Sequence, residues 1–334
     1  MTTAFRLTIG ARPYGLLNIV KPTFMDTTTP RIVILGATGM LGSMLYRLLK
    51  DKYQLTITYR DPAKLRLLYE AYGQSSAREL QFDVASLYQD YLNGFQGQLV
   101  GPNTRVVLDS IRDADWVINA IGITKPHSLT DPALTMFING ALPHVLSTQL
   151  GKRLIHITTD CVFDGSEGAP YTESSARRPV DLYGLSKLLG EPTGSLVLRT
   201  SIIGPELGGG SEGLLGWFLS QAGGQIKGFT NHFWNGVTTL EFANICDRLV
   251  SGQVNYPGPG VYHVFSTAVN KHEMVEKFKT VYDVAVEIEP FVAPMGVDRR
   301  LGTRQDFNAQ LNIPSFDQMV SDLAAISTNA PVRD

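Results

Sequence analysis

Short apolar runs alternate with segments of helical period along the chain as far as Thr200. Arg31-Ile-Val-Ile-Leu35 is stopped by Gly36, and Met40 to Lys50 then places Leu41, Met44, Leu45, Leu48 and Leu49 on one side of a helix. Gln54 to Tyr59 predicts a second strand, Leu80 to Val84 a third, Asp115 to Ile121 a fourth, Leu154 to Thr158 a fifth and Leu196 to Thr200 a sixth. Helical stretches such as Thr104 to Arg112 and Leu142 to Gly151 separate most of them. Strands alternating with helices predict an α/β fold, a doubly wound parallel sheet, because each crossover must carry the chain back to start the next parallel strand.

The texture changes after Thr200. Gly204-Pro-Glu-Leu-Gly-Gly-Gly-Ser-Glu-Gly213 is dense in glycine, an apolar helix through Trp217 and Phe218 comes next, and Asn231-His-Phe-Trp-Asn-Gly236 breaks the pattern again. This stretch reads as irregular chain unable to join regular sheet, and as a lid or substrate loop. Gly260 to Phe265 predicts a strand, Lys271 to Thr280 a helix, and Glu287 to Pro294, Asp298 to Leu301 and a helix from Ser315 to Ile326 complete a smaller C-terminal lobe. The expected organisation is a sheet domain over 30–200, rejoined by 236–265, with 201–235 and 266–330 forming a substrate-binding lobe. Residues 1–29 read as an N-terminal extension open to disorder. Arg6, Arg12 and Lys21 without an acidic residue before Met25 suit a transit peptide, but Gly10, Pro13 and Gly15 spoil an amphipathic helix. A dispensable extension, with Met25 as an alternative start, is the expectation. The Tyr- and Gly-rich insertion from Ser86 to Pro102 carries no readable role.

Composition narrows the classes. With 334 residues, 43% of them hydrophobic and 18% charged, the chain can bury one large core or two unequal lobes. A net charge of −2 without a Lys/Arg run argues against a nucleic-acid backbone partner. Cys161 and Cys246 cannot build a disulfide framework, six scattered His show no metal-ligand spacing, and no stretch nears 18 consecutive apolar residues. The expectation is a cytoplasmic protein with no metal and no membrane partner.

Gly36-Ala-Thr38-Gly39-Met40-Leu41-Gly42 stands directly between the first strand and first helix, where glycines allow a tight turn and let a pyrophosphate reach backbone N–H groups at a positive helix end. That makes the first domain a dinucleotide-binding Rossmann domain. Arg60 comes directly after the second strand, where an acidic residue would accept the ribose 2′-hydroxyl of NAD and an arginine accommodates a 2′-phosphate, so NADP(H) is favoured over NAD(H). Asp83 is a candidate acceptor for the adenine amino group, with a turn-forming Asp as its plain alternative. Asn119, Ala120 and Gly122, ending the fourth strand, offer a small-residue floor for the cofactor. Tyr183 and Lys187 lie one helical turn apart, where an ammonium can stabilise a phenolate, and the fifth strand ends at a hydroxyl, Thr159. Tyr46-x-x-x-Lys50 has the same spacing, but its apolar neighbours mark Tyr46 as packing.

Together these motifs resemble the extended short-chain dehydrogenases/reductases. Thr158-Thr-Asp-Cys-Val-Phe-Asp-Gly165, Tyr183-x-x-x-Lys187 with Gly190-Glu191, Arg199-Thr200, Tyr171-x-Glu173 and Asp298-Arg-Arg-Leu301 are most similar to the dTDP-4-dehydrorhamnose reductase family, with Thr158 and Cys161 replacing its Ser and Tyr. The resemblance covers about Arg31 to Leu323. It implies Thr159, Tyr183 and Lys187 as the catalytic trio, with Tyr183 and Lys187 also touching the cofactor. It further implies a nucleotide-sugar substrate near Asp160 and Cys161, a cation for its phosphates at Arg300, and Trp217 or Trp234 stacking on base or sugar. Core packing is the plainer role for both tryptophans. Asn139 is expected to hold a water or the Lys187 ammonium, or to cap a helix.

The implied reaction is NADPH-dependent reduction of the 4-keto group of a nucleotide-linked 6-deoxyhexose, with Tyr183 as proton donor and Lys187 lowering its pKa. A homodimer is compatible with this reading. Rivals are an epimerase or dehydratase of the same scaffold, against which Arg60 argues, and a non-catalytic NADP-binding regulatory subunit, against which the intact trio argues.

Overall fold

The computed structural model describes residues 29–94, 102–166 and 168–328. The N-terminal extension, apart from residue 29, and positions 95–101 of the Ser86–Pro102 insertion lie outside the described residues. The insertion begins as part of a helix, Val84–Gly94.

Seven strands form the central sheet: β1 Arg31–Leu35, β2 Gln54–Tyr59, β3 Arg78–Gln81, β4 Trp116–Asn119, β5 Leu154–Thr159, β6 Leu196–Thr200 and β7 Gly260–His263. Every neighbouring pair is parallel, in the order β7-β6-β5-β4-β1-β2-β3. The order reverses between β1 and β4, which opens a crevice at the carboxyl ends of these strands. The third strand stops at Gln81, short of the expected Val84. The Asp83 side chain accepts from the Ala85 N–H at 3.1 Å and turns the chain into the next helix.

Period-two alternation explains both cores. In β1, Ile32 and Ile34 enter an apolar cluster with Met44, Leu45 and Leu49 of helix α1 (Met40–Leu49). Val33 and Leu35 enter the opposite one, with Leu142, Leu146 and Leu150. Burying both faces requires near-continuous apolar strands, which is how these strands read. Across the first face, α1 packs against helix Thr239–Val250.

The smaller lobe departs from the expectation of irregular chain. Gln225–Phe229 pairs in parallel with Glu287–Phe291, and His232–Trp234 sits between Val269–Asn270 and Val297–Asp298. These strands are short, and their partners lie far along the chain, so no local periodicity announces them. Phe229 and Phe291 pack edge-on across the first pair with ring centroids 5.7 Å apart.

Tyr46 is fully buried, donates to the Gly73 carbonyl at 2.8 Å and packs against Tyr69. Tyr46→Phe is therefore expected to lower stability by about 0.5–1.5 kcal/mol in urea unfolding, the worth of one lost hydrogen bond, without altering cofactor affinity.

Candidate active site

Glycine sets the geometry of the β1–α1 turn. Gly36 adopts φ +83°, and a Cβ on Gly42 would stand 2.0 Å from the Gly36 carbonyl oxygen. Only glycine lets α1 start this close to the strand. Gly39 precedes the helix without a side-chain cap, and no acidic residue occupies the first turn, so among the described residues no side chain caps the N–H groups of Met40, Leu41 and Gly42. Thr38 lies in the same turn.

At the next strand end Arg60 is exposed. Its neighbour Asp61 is already engaged, accepting the Ala63 N–H at 2.8 Å as N-cap of helix Pro62–Tyr72. The acidic side chain that could have competed for a ribose is thus committed to a helix end, while the guanidinium makes no ion pair among the described residues. Asp83 has a similar commitment, to Ala85.

Beyond β4, Asn119 is buried, accepts the Ile121 N–H at 3.1 Å and lies 3.2 Å from His156 Nδ1. Ala120 bonds back to Leu35 through its N–H. A Cβ at Gly122 would meet Asn139 Oδ1 at 3.3 Å and Lys187 Nζ at 3.7 Å, so the absent side chain leaves the lysine open toward the crevice. Asn139 caps no helix and does not bind the ammonium. It lies within a π-helical turn, Met136–Ala141, and clamps Ile123 through both its N–H and its carbonyl at 2.9 Å each.

Thr159, Tyr183 and Lys187 come together near the end of β5. Thr159 Oγ1 accepts from the Cys161 N–H at 3.1 Å and donates to Asp160 Oδ1 at 3.2 Å. Asp181 caps the helix Leu182–Leu189 through the Gly184 N–H. One turn later Lys187 is buried and donates from Nζ to the Ile157 carbonyl at 2.8 Å. Burial lowers the ammonium to about pH 8, against the opposing pull of Glu191. The Tyr183 phenol, expected to be lowered by Lys187, is instead raised well above its usual value. Burial is the largest cause, and the neighbouring Cys161, Asp160 and Asp181 add to it, while the Thr159 hydroxyl draws it down.

Asp160 and Cys161 form the wall beside the trio. Burial raises the Asp160 carboxyl while Arg299 and Lys271 pull it back. Burial, then the Asp160 charge, pushes the Cys161 thiol up to about 11. Arg299 is held against the loop by bonds to the Phe163 carbonyl at 2.9 Å and the Asp164 carbonyl at 3.3 Å. Lys271 begins helix Lys271–Tyr282, and its ammonium lies 5.9 Å from the centroid of the Trp234 ring.

Two substrate expectations need correction. Arg300, expected at the substrate phosphates, is paired by bidentate bonds to Asp298 at 2.9 and 2.6 Å and lies over Phe233, while Arg299 and Lys271 are the cations that act on Asp160. Neighbours on an extended segment face opposite ways, and this parity was the unused signal. Trp234 is 4% exposed and packs edge-on against Phe316 in the apolar cluster it shares with Ile32 and Ile34 of β1, so its ring is core and not offered to a ligand. Trp217, in helix Leu214–Leu219, is 37% exposed. Lys271 had no signal in the sequence, since its helix starts far from the catalytic motifs. No cluster of His, Cys, Asp and Glu suited to a metal, and no helix long and apolar enough to cross a membrane, occurs among the described residues.

A glycine turn after β1, a reversed strand order and a Thr-Tyr-Lys trio near the strand ends define a short-chain dehydrogenase/reductase architecture. The family model described as the RmlD substrate binding domain matches residues 30–295, and the chain belongs to that family of sugar-nucleotide reductases. A dTDP-4-dehydrorhamnose reductase of Burkholderia thailandensis is 38% identical over 91 residues, which span 26% of this chain and 30% of that protein. The methionine adenosyltransferase 2 subunit beta of Xenopus tropicalis is 26% identical over 325 residues, 91% of this chain and 86% of the relative. Among solved structures, a dTDP-4-dehydrorhamnose reductase of Bacillus anthracis in complex with NADP has a TM-score of 0.63 at 18% identity and covers 89% of this chain and 99% of its own. At that identity the likeness is one of fold.

The Lys187 ammonium supplies a prediction. It is charged below about pH 8 and loses its charge as the pH rises through that value. Dinucleotide affinity, followed by fluorescence titration, should weaken across that interval. Lys187→Met should bind weakly at every pH and lose the dependence, whereas an unchanged slope in that variant would assign the titration to another group.

Proposed function

We propose that this NAD(P)-dependent oxidoreductase uses NADPH to reduce the 4-keto group of a nucleotide-linked 4-keto-6-deoxyhexose. The observation that carries the reading is the convergence of Thr159, Tyr183 and Lys187 at the end of β5, with the lysine facing side-chain-free Gly122. The glycine turn fits a pyrophosphate, because Gly42 lets α1 start against the strand end and Gly39 leaves the first turn of that helix without a side-chain cap or an acidic residue. Reduced nicotinamide, when bound, supplies the hydride.

The protein's part is proton supply and positioning. A phenol held above its ordinary value is fully protonated at neutral pH, so Tyr183 is ready to donate to the developing alkoxide. Thr159 can turn its hydroxyl from Asp160 to the same oxygen and stabilise the charge there. Lys187 keeps two of its three N–H donors for ribose hydroxyls. Asp160, held between Arg299 and Lys271, can accept from sugar hydroxyls, and Cys161 leaves more room than the aromatic residue of similar reductases. Residues 214–235 and 266–330 would supply the rest of the sugar-nucleotide site.

The alternative is a non-catalytic NADP-binding subunit, favoured by the near full-length match to a relative named as a subunit. NADPH oxidation measured against a panel of nucleotide-linked 4-keto sugars separates the two: one accepted sugar supports the reductase, and none supports the subunit. With an accepted sugar, Tyr183→Phe should bind NADPH normally and turn over about 10²–10⁴-fold more slowly. Near-normal turnover would remove Tyr183 from the chemistry.

Cofactor choice has its own test. Arg60→Ala should cost NADPH about 1.5–3 kcal/mol of binding, the worth of a charge-assisted contact, and NADH far less. Equal losses for the two dinucleotides would make Arg60 a bystander.

A further inference from the structure

The glycine-dense segment Gly204–Gly213 reads in sequence as a substrate lid, yet its contacts lie on the other side of the crevice. A Cβ on Gly213 would stand 3.7 Å from Met40 Sδ, at the start of α1, and one on Gly208 would stand 3.1 Å from Leu67 Cδ1, in the helix just after Arg60. Glu212 Oε1 meets His127 Nε2 at 3.0 Å. His127 ends the turn Lys125–His127, which leads away from β4. The segment therefore touches the helices and the turn that leave β1, β2 and β4, and β1 and β4 are the strands that flank the reversal of strand order. Met40 and Leu67 follow the two strands whose ends carry the glycine turn and Arg60, on the dinucleotide side, while the Lys125–His127 turn also reaches the helix Leu182–Leu189 through Lys125, 2.8 Å from Asp181.

The segment is also shaped to hold itself. Glu206 accepts from the Gly213 N–H through Oε1 and from the Glu212 N–H at 3.4 Å through Oε2. A Cβ on Gly216 would clash at 2.1 Å with the Gly210 carbonyl oxygen, and one on Gly210 at 2.2 Å with Glu206 Oε2. Glycine is required there for the loop to close on its own base. By contrast, the His127–Glu212 link is formed by side chains 55% and 57% exposed, so it can open to admit a ligand at little cost.

We infer that Gly204–Gly213 is a strap across the dinucleotide crevice, forming the outer wall of the cofactor site, and that His127 and Glu212 are its latch. The inference rests on the crevice binding NADP(H) as proposed above. It makes the strap a determinant of how long the cofactor stays, separate from recognition of the sugar.

Hydrogen exchange with NADPH alone tests this on the full chain. Slowed exchange is expected at both 36–42 and 204–213, with no further slowing when a nucleotide-sugar is added. In stopped-flow displacement, Glu212→Gln and His127→Asn should each speed NADPH release about twofold to fivefold, and the double variant should match either single one, because the two residues make one contact. Protection of 36–42 without 204–213, or protection of 204–213 that waits for the nucleotide-sugar, would overturn the strap while leaving the cofactor site intact. No protection at 36–42 would instead reject the dinucleotide reading, and the strap with it. Release rates unchanged in both latch variants would remove the latch.

Discussion

A buried guanidinium ties the active site to the rest of the molecule. Arg199, in β6, is 1% exposed, and its charge is met by Glu191 at 3.0 and 2.6 Å, by His263 Nε2 at 2.8 Å and by the face of Phe163. Glu191 lies just beyond the helix that carries Tyr183 and Lys187, while Phe163 lies just beyond Asp160 and Cys161. His263 accepts at Nε2, so its proton lies on Nδ1, which donates to the Gly302 carbonyl at 2.7 Å. Burial, then the Arg199 charge, lowers that imidazole to about 4 and keeps it neutral. Glu173 continues the chain of contacts, accepting from the His263 N–H at 3.1 Å and the Thr303 hydroxyl at 2.7 Å. An ion this deep is tolerable only when every partner is in place, and removing one partner of such a pair costs about 3–5 kcal/mol. One arginine thereby fixes the catalytic helix, the loop after β5, the edge strand β7 and the chain that leads from Arg299.

The same dependence on partners holds for the buried polar groups beside the crevice. Lys187 and Asp160 are both penalised by burial, and each is held by neighbours that cannot drift: the Ile157 carbonyl of β5 for the lysine, and Arg299 and Lys271 for the carboxyl. Preorganised charge of this kind is available to a transition state without reorganisation. The strap contrasts with this interior, since its latch is exposed and weak. Rigid chemistry beside a movable cover is the usual division between scaffold and loop.

Much of the sheet domain was legible in sequence because its signals are local. The apolar runs of β1, β2 and β6 match the observed strands end to end, and the glycine turn, Thr159, Tyr183 and Lys187 sit at or beside strand and helix ends that the alternation already marks. What stayed hidden depends on distance. The small sheets of the second lobe pair His232 with Val297 and Gln225 with Glu287, and no periodicity connects such partners. Arg299 and Arg300 are adjacent in sequence and opposite in fate, one beside Asp160 and the other spent on Asp298. Gly190-Glu191 and Arg199 were visible as motifs, but the charge network that gives them a purpose closes only in three dimensions. The raised Tyr183 phenol has no sequence signature, because spacing reveals the neighbouring lysine and not the burial that raises the phenol.

The most direct measurement of the central claim is isotope transfer. With a nucleotide-linked 4-keto-6-deoxyhexose and NADPH deuterated at the transferred position of nicotinamide C4, the account predicts one deuterium at C4 of the sugar product by mass spectrometry and NMR, with the hydroxyl proton drawn from solvent. A panel of such sugars that yields no deuterated product, from protein shown to bind NADPH, would contradict it.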